Sequence, residues 1–448
     1  MRFFLICTLF CAGAASVPLS SPAAANIFAP ATVALSTSVS TSVSTSVSTP
    51  VPTPPRTLSL RDAQLIAAKD SPQVDGQAAA LRAAEAAGVG AGELADPKLI
   101  LGVDNLPLDG EDRYSLTRDF MTMRKIGFAQ DFTREEKLKL RSDRAAADVR
   151  KEAAMLTLVQ VNLQRDVALA WIDRYFAERQ LSLVQELARE GELQVTAAQA
   201  ALAGGKGQAA DPFAARLAVA QLADRTIDAE RLVARSQHQL ARWIGAAAQW
   251  PLESPPAFDT FTRMHAELLG QLDSHPHLAA YAPMQAAADA EVKLARAAKH
   301  PDWSLEVAYA QRGPAFSNML SIGVRIDLPI FQSRRQDPAI ASRLALAEQV
   351  HAQADDARRA HAAEIESFVA DWEAGKKRVQ RYQADLLPLA HERSDVALAG
   401  YRGGRSELSA VLEARKGEIE TRMNYLQAQA DLARAWANLN FLLPASKE

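Results

Sequence analysis

Most of this chain is written twice, and that duplication narrows its possible folds more than any other feature. Ser71-Pro72 opens a helical stretch running to Asp96-Pro97, and His275-Pro276 opens another running to His300-Pro301; both offsets are 204 residues. After each second proline comes a short alternating run, a polar loop containing Gly or Pro, and a second alternating run. The second runs share Ile126-Gly127 and Ile322-Gly323, 196 apart because the second loop is shorter. Long helical stretches follow, with Trp171 and Trp372 offset by 201, and each breaks at two glycines, Gly204-Gly205 or Gly403-Gly404. A return helix closes each copy, near 212–245 and 407–441. The expected organisation is a first structural repeat over 57–260, with strands near 97–106 and 120–132 and a tip at 203–211. The second covers 261–448, with strands near 302–311 and 318–331 and a tip at 401–406.

The alternating runs carry the next constraint. Leu320, Ile322, Val324, Ile326, Leu328 and Ile330 fall on one face, and Ser321, Gly323, Arg325 and Asp327 on the other. In 303–309, Trp303, Leu305, Val307 and Tyr309 alternate with Ser304, Glu306 and Ala308. A period of two with charge on one side predicts a sheet that is greasy on one face and wet on the other. Such runs are also about ten residues long, the length of a transmembrane β-strand, and Trp303 and Tyr309 suit a membrane–water interface. Leu99, Leu101 and Val103 alternate likewise, but Arg124 falls on the apolar side of 120–132 and has to lie near the membrane edge. An ordinary half-buried soluble sheet satisfies the same pattern. If the strands do lie in lipid, four cannot close a barrel, and an open sheet edge cannot face hydrocarbon. Several chains must then share one barrel, and three chains supply twelve strands.

The helical stretches are rich in alanine and poor in aromatics, which make up 6% of the chain, a composition suited to closely packed helices. The stretch 142–202 extends roughly 90 Å if continuous at ~1.5 Å per residue. In the second copy His361, Ile365, Phe368, Trp372, Gly375, Val379, Tyr382, Leu386, Leu389, Arg393, Val396 and Gly400 follow an alternating four–three spacing. Pro388 should kink that helix.

The N-terminus reads as a secretory signal over 1–25. Arg2 supplies the charge, FFLICTLF (3–10) the apolar region, and small residues follow at 12–15 and 23–25. The apolar run is too short to span a bilayer. Both cysteines, Cys7 and Cys11, fall within this segment, so cleavage beyond Cys11 leaves a mature chain without disulfides or thiolate metal sites. Cys11 as a lipidated first residue is the alternative, against which stands the large Phe10 before it. Residues 26–56 form a Ser/Thr/Pro-rich linker, including STSVSTSVSTSVSTPVPTPP at 36–55, which cannot bury a core. The net charge of −3 gives no electrostatic case for nucleic acid.

Taken in order, these elements resemble the TolC-type outer-membrane efflux family over about 57–445. The resemblance rests on the duplication, on IGFAQDF (126–132) and IGVRIDLPIF (322–331), and on LLPLA (386–390) followed by AGYRGGRSELSAVLEAR (399–415). Within the family it is most similar to the heavy-metal and cation-efflux (CzcC/CusC-like) branch. The resemblance implies an α+β membrane protein: a homotrimer whose twelve-stranded transmembrane β-barrel, four strands per chain, continues into a long periplasmic α-helical barrel. It implies outer-membrane lipid around the strands, most of the chain in the periplasm, and helical tips that meet a periplasmic adaptor (membrane fusion protein) bound to an inner-membrane RND-type pump. The duct itself is passive, and no cofactor is implied.

The resemblance also implies a gate at the helical tips. Tyr401 matches the gate tyrosine, Glu413 one of two acidic positions on the inner helix, and Asp211 an aspartate of the same network. Ala410 occupies the other acidic position and Ser406 stands where the family has an arginine; Arg402 and Arg405 are the nearby substitutes. Gly204, Gly205, Gly403, Gly404 and Arg405 would form the adaptor-docking tips. Threefold symmetry turns one carboxylate into a ring of three, which repels itself and attracts cations. Each residue has a plainer reading too. Glu413 is a surface glutamate paired with Arg415 or Lys416, Asp211-Pro212 an ordinary helix start with Asp211 as N-cap, and Tyr401 a ring packed beside a turn.

No GxSxG, HExxH or GxxxxGK[ST] motif occurs, so enzymatic chemistry is not expected. His351 and His361 lie ten apart on a helix, and His275 and His277 flank Pro276; none makes a convincing metal site by spacing. The expected function is the exit duct of a tripartite efflux system. A periplasmic coiled-coil scaffold with soluble hairpins is the alternative.

Overall fold

The computed structural model describes residues 57–205, 207–261, 269–270 and 272–443. The expected signal segment 1–25 and linker 26–56 lie outside the described residues, as does Lys206 in the first tip.

Four strands form one antiparallel sheet in the order β1 (Lys98–Asp104), β2 (Met123–Phe132), β3 (Trp303–Gln311) and β4 (Met319–Ile326). The two copies join in the middle of it, where Phe128 pairs with Val307 and Ile126 with Tyr309. The register puts Leu101, Ile126, Tyr309 and Leu320 on one rung and Leu99, Phe128, Val307 and Ile322 on the next. This apolar face is uncovered: Phe128, Leu320 and Ile322 are 62%, 67% and 68% exposed. The opposite face carries the Lys125–Glu306 ion pair at 2.8 Å and small side chains, with Ala308 and Ala310 buried. Gly127 belongs to that crowded face, since a Cβ there would stand 2.8 Å from the Ala308 Cβ. β1 and β4 each pair on one side only within the chain.

Arg124 pairs with Val103 and Gln311 at the loop end of the sheet, which is where its charge forced it to be. β4 stops at Ile326 rather than near 331, for two reasons. Its partner β3 begins at Trp303, and Pro329 has no N–H to extend the ladder. The far end of the sheet is joined to the helices by Asp302, which accepts from the Arg134 N–H at 3.1 Å and from Lys137 Nζ at 2.8 Å.

The helices repeat with the strands. α1 (Leu60–Lys69) is capped by Ser59, whose hydroxyl accepts from the Asp62 N–H. α2 (Pro72–Gly90) precedes β1, and the 69-residue α3 (Glu135–Ala203) and α4 (Asp211–Ile244) follow β2. In the second copy α5 (Tyr281–Ala297) precedes β3; α6 (Gln336–Arg381), α7 (Leu387–Arg402) and α8 (Leu408–Asn440) follow β4. The main core lies midway along α3 and at the C-terminal ends of α4 and α8, where Val167, Trp171 and Ile172 of α3 meet Leu240 of α4 and Ala433 and Trp436 of α8. The two equivalent tryptophans do equivalent work. Trp171 Nε1 donates to the Leu58 carbonyl at 3.1 Å, and Trp372 Nε1 to the Phe258 carbonyl at 2.9 Å. Each ring thereby satisfies its one polar atom while clamping the segment that enters its own copy.

The heptad stripe expected through Gly400 does not run straight. Between α6 and α7, Tyr382–Leu386 form a π-turn in which the Leu387 N–H donates to the carbonyl of Tyr382, five residues back. The turn accommodates Pro388, which lacks an N–H and would crowd the carbonyl four residues before it in a regular helix. It also inserts one residue into the helical count. Beyond it Leu387, Ala390, Ser394, Ala397 and Tyr401 are covered, each one later than the spacing predicted, while Leu389 and Val396 are 61% and 73% exposed; of the later predicted positions only Gly400 is partly covered, beneath Ser406.

Candidate functional site

Both long helices reverse through the same turn. Gly205 and Gly404 hold φ of +68° and +69°, the left-handed region that glycine adopts without a Cβ penalty. In the second tip the Gly404 N–H donates to the Tyr401 carbonyl at 3.0 Å and the Arg405 N–H to the Gly400 carbonyl at 2.8 Å. These two bonds cap the free carbonyls of α7. In the first tip the Gly205 N–H bonds the Leu202 carbonyl at 3.0 Å in the same way. Ser406 folds back so that its hydroxyl donates to the Ala397 carbonyl at 3.4 Å, over Gly400, where a Cβ would meet that oxygen at 2.8 Å. Arg402 and Arg405 are exposed and form no ion pair among the described residues.

Tyr401 packs into an apolar cluster that joins all four helices of the tips: Val195 and Ala198 from α3, Ala215 from α4, Leu398 beside it, and Leu408 and Val411 from α8. Its hydroxyl is buried without a hydrogen-bond partner. Asp211 is the first residue of α4 rather than its N-cap, because Ala210 already has helical backbone angles and occupies the cap. The Asp211 carboxylate accepts instead from the Gln208 N–H at 2.9 Å. Gln208 Nε2 in turn donates to Glu407 Oε1 at 3.3 Å, so Asp211 supports a bridge between the two tips.

Glu413 is exposed on α8 and lines a groove of about 330 Å³ with Glu190, Gln221, Arg225 and Lys416. It forms no ion pair among the described residues, and Arg415 bonds Glu418 at 2.8 Å instead. Tyr401, Asp211 and Glu413 share one end of the helices but make no direct hydrogen bond to one another within the chain.

Sequence reasoning missed Glu418, the most heavily partnered carboxylate of this region. It is 4% exposed on α8 and receives Arg415 at 2.8 Å, Arg422 at 3.0 Å and His391 of α7 at 3.1 Å. Burial by itself would push this carboxyl up; Ser394, His391, Arg415 and Arg422 outweigh it and hold the group below the usual glutamate value. The Arg–Glu–Arg spacing along α8 was readable, but nothing in it marked the middle residue as buried.

The histidines do not gather as their spacing allowed. His351 meets Asp289 at 3.7 Å, away from His361. His361 Nε2 lies 3.0 Å from His275 Nδ1, and its other nitrogen lies 3.1 Å from Glu364, while His277 stacks on its ring with centroids 5.0 Å apart. These rings chain rather than converge, and among the described residues no three His, Cys, Asp or Glu side chains surround a common point. No helix among the described residues is long and apolar enough to cross a membrane.

Residues 271–444 match the family model for outer membrane efflux proteins. The chain is 25% identical over 315 residues to the cobalt-zinc-cadmium resistance protein CzcC of Cupriavidus metallidurans, covering 66% of this chain and 72% of that protein. Among solved structures it is similar to CusC, with a TM-score of 0.76 at 18% identity over 86% of this chain and 92% of the other. It is also similar to VceC, an outer membrane protein of Vibrio cholerae, with a TM-score of 0.72 at 20% identity over 86% and 95%. These channels share its architecture of long helices and a small antiparallel sheet. The second copy of the repeat, residues 271–444, thus matches the outer membrane efflux protein family, and the described chain has the fold of these solved channels.

Proposed function

We propose that this protein is the outer-membrane exit duct of a tripartite efflux system, acting as a homotrimer. The observation that carries this reading is the sheet. It presents an exposed face that is apolar through its middle rungs and polar only towards its ends, at Arg124, Gln311 and Gln130, a charged face on the other side, and two open edges at β1 and β4. Such a face is stable against hydrocarbon, and such edges are stable only when neighbouring chains pair with them. Three chains close a twelve-stranded barrel with Lys125 and Glu306 toward its lumen. The helices then lie in the periplasm, with the Gly204-Gly205 and Gly403-Gly404 tips farthest from the membrane and open to an adaptor and, through it, an RND-type pump. Similarity to a cobalt-zinc-cadmium resistance protein favours heavy-metal cations as cargo. Nothing in the chain's chemistry drives transport, so the energy comes from the pump.

Tyr401, Asp211 and Glu413 are the proposed gate. The exposed, unpaired Glu413 carboxylate is free to meet groups of the neighbouring chains at the threefold axis, whereas the Tyr401 hydroxyl, buried and unpartnered within the tip cluster, gains a partner only when the tips rearrange. The test is extraction and reconstitution. The account predicts a protein released from membranes only by detergent, trimeric by mass, and forming narrow ion-conducting pores in planar bilayers. A folded monomer released without detergent would instead identify a periplasmic coiled-coil scaffold.

A further inference from the structure

Two arginines at the loop end of the sheet form no ion pair among the described residues. Arg124 shares the apolar face with Ile126 and Phe128 and lies one rung beyond the Leu101–Ile126–Tyr309–Leu320 rung. Its Nη2 donates to the carbonyl of Arg312, the residue just after β3, at 3.4 Å. The Arg312 guanidinium donates to the Phe120 carbonyl and lies 5.0 Å over the Phe316 ring. Neither arginine forms an ion pair among the described residues, and the Nε of each is sequestered from solvent without a partner. Nearby acidic groups face other partners: Asp104 acts on Lys125 on the opposite side of the sheet, Asp119 accepts from the Met121 and Thr122 N–H groups, and Asp112 pairs with Arg118 at 3.4 Å.

A guanidinium cannot shed its proton to escape a poor environment. Two of them, adjacent and partly desolvated, therefore need an anion. Their position says which kind. Arg124 stands where the apolar row ends, about 7 Å past Tyr309 at ~3.4 Å per residue, and Arg312 one residue further along, at the end of the sheet away from the helices. In a membrane-inserted barrel that is the level of the outer headgroups, where an aromatic belt gives way to polar groups.

We propose that Arg124 and Arg312 form a binding site for the phosphate of an anionic lipid headgroup in the outer leaflet, an inference that rests on the membrane-embedded reading above. The planar fork of arginine matches a phosphate through paired N–H···O bonds. A soluble phosphate has no reason to favour the lipid-facing rim over the charged face.

The experiment is native mass spectrometry of the full-length, detergent-solubilised protein titrated with phosphatidylglycerol or with zwitterionic phosphatidylcholine. The wild type should retain phosphatidylglycerol in preference to phosphatidylcholine. Arg124→Gln with Arg312→Gln should lower that retention about tenfold, with trimer mass and conductance unchanged, and the double lysine variant should fall between. Equal retention of the two lipids by the wild type, or undiminished retention by the glutamine variant, overturns the site. So does equal occupancy by inorganic phosphate, which would mark a free-anion site. If the glutamine variant does not assemble, the wild-type comparison of the two lipids decides alone. A wild type that is monomeric before any lipid is added would count against the duct reading instead, so the two failures are distinguishable.

Discussion

Gln208 Nε2 donates to Glu407 Oε1 across 3.3 Å and ties together two tips that are 199 residues apart in the chain. Asp211 holds the backbone of Gln208 at 2.9 Å, so one carboxylate of the proposed gate acts on the link between the copies. Asp211→Ala combined with Glu413→Ala should therefore loosen the resting tips. Each lost hydrogen bond of about 0.5–1.5 kcal/mol shifts a closed–open balance roughly two- to tenfold. Single-channel recording should show higher conductance and weaker cation preference; unchanged values of both would remove these residues from the gate.

The π-turn makes a prediction about length. Deleting Ala384 together with Pro388→Ala should leave one continuous α-helix that joins the stripe ending at Tyr382 to the stripe at Ser394 and Tyr401. That variant should unfold within about 1 kcal/mol of the parent, since both covered stripes are kept. Deleting Ala384 while keeping Pro388 should cost ~3 kcal/mol or more, because the proline then falls inside a regular helix. Thermal unfolding of the two variants in detergent separates these outcomes. Equal stability of the two would mean that the turn does not exist to seat the proline.

Glu418 predicts a pH dependence with a definite sign. Its folded pKa is depressed below the ordinary 4.5, so its contribution is complete above that value and is lost as pH falls through the lower folded value. Glu418→Gln should destabilise the protein near neutrality by about 1–3 kcal/mol, allowing for the partial exposure of Arg415 and Arg422. The variant should also lose less stability than the parent between pH 5 and about 3. Denaturation midpoints across that range provide the check. Parallel curves would show that the carboxyl titrates alike in the folded and unfolded chain, so that its partners do not favour the charged form.

Much of this was legible in the sequence because duplication shows itself in spacing. The offsets of Ser71 and His275, Ile126 and Ile322, and Trp171 and Trp372 located every long element, and strict alternation assigned each strand residue to a face. Arg124 was legible for the same reason, as the one charge on the wrong side. What spacing cannot reveal is a single inserted residue, since a heptad count carried through Tyr382–Leu386 assigns Leu389 and Val396 to the core although both are exposed. Nor can it reveal contacts between separated tips. Asp211-Pro212 reads locally as a cap and a helix start, and only the folded chain places Gln208 against Glu407. Burial of Glu418 is similarly a property of how α7 lies on α8, to which its own neighbours give no clue.

The central claim is that separate chains close one barrel by pairing β4 of one with β1 of the next. The chain has no cysteine beyond Cys11, so introduced cysteines report cleanly. The direct measurement is oxidative cross-linking in membranes of Leu101→Cys combined in turn with Leu320→Cys, Ile322→Cys and Val324→Cys, three registers of the proposed seam. The account predicts that at least one pair yields a ladder on denaturing gels that ends at a covalent trimer. Monomer alone in all three registers, or a ladder that continues past three chains, would contradict it.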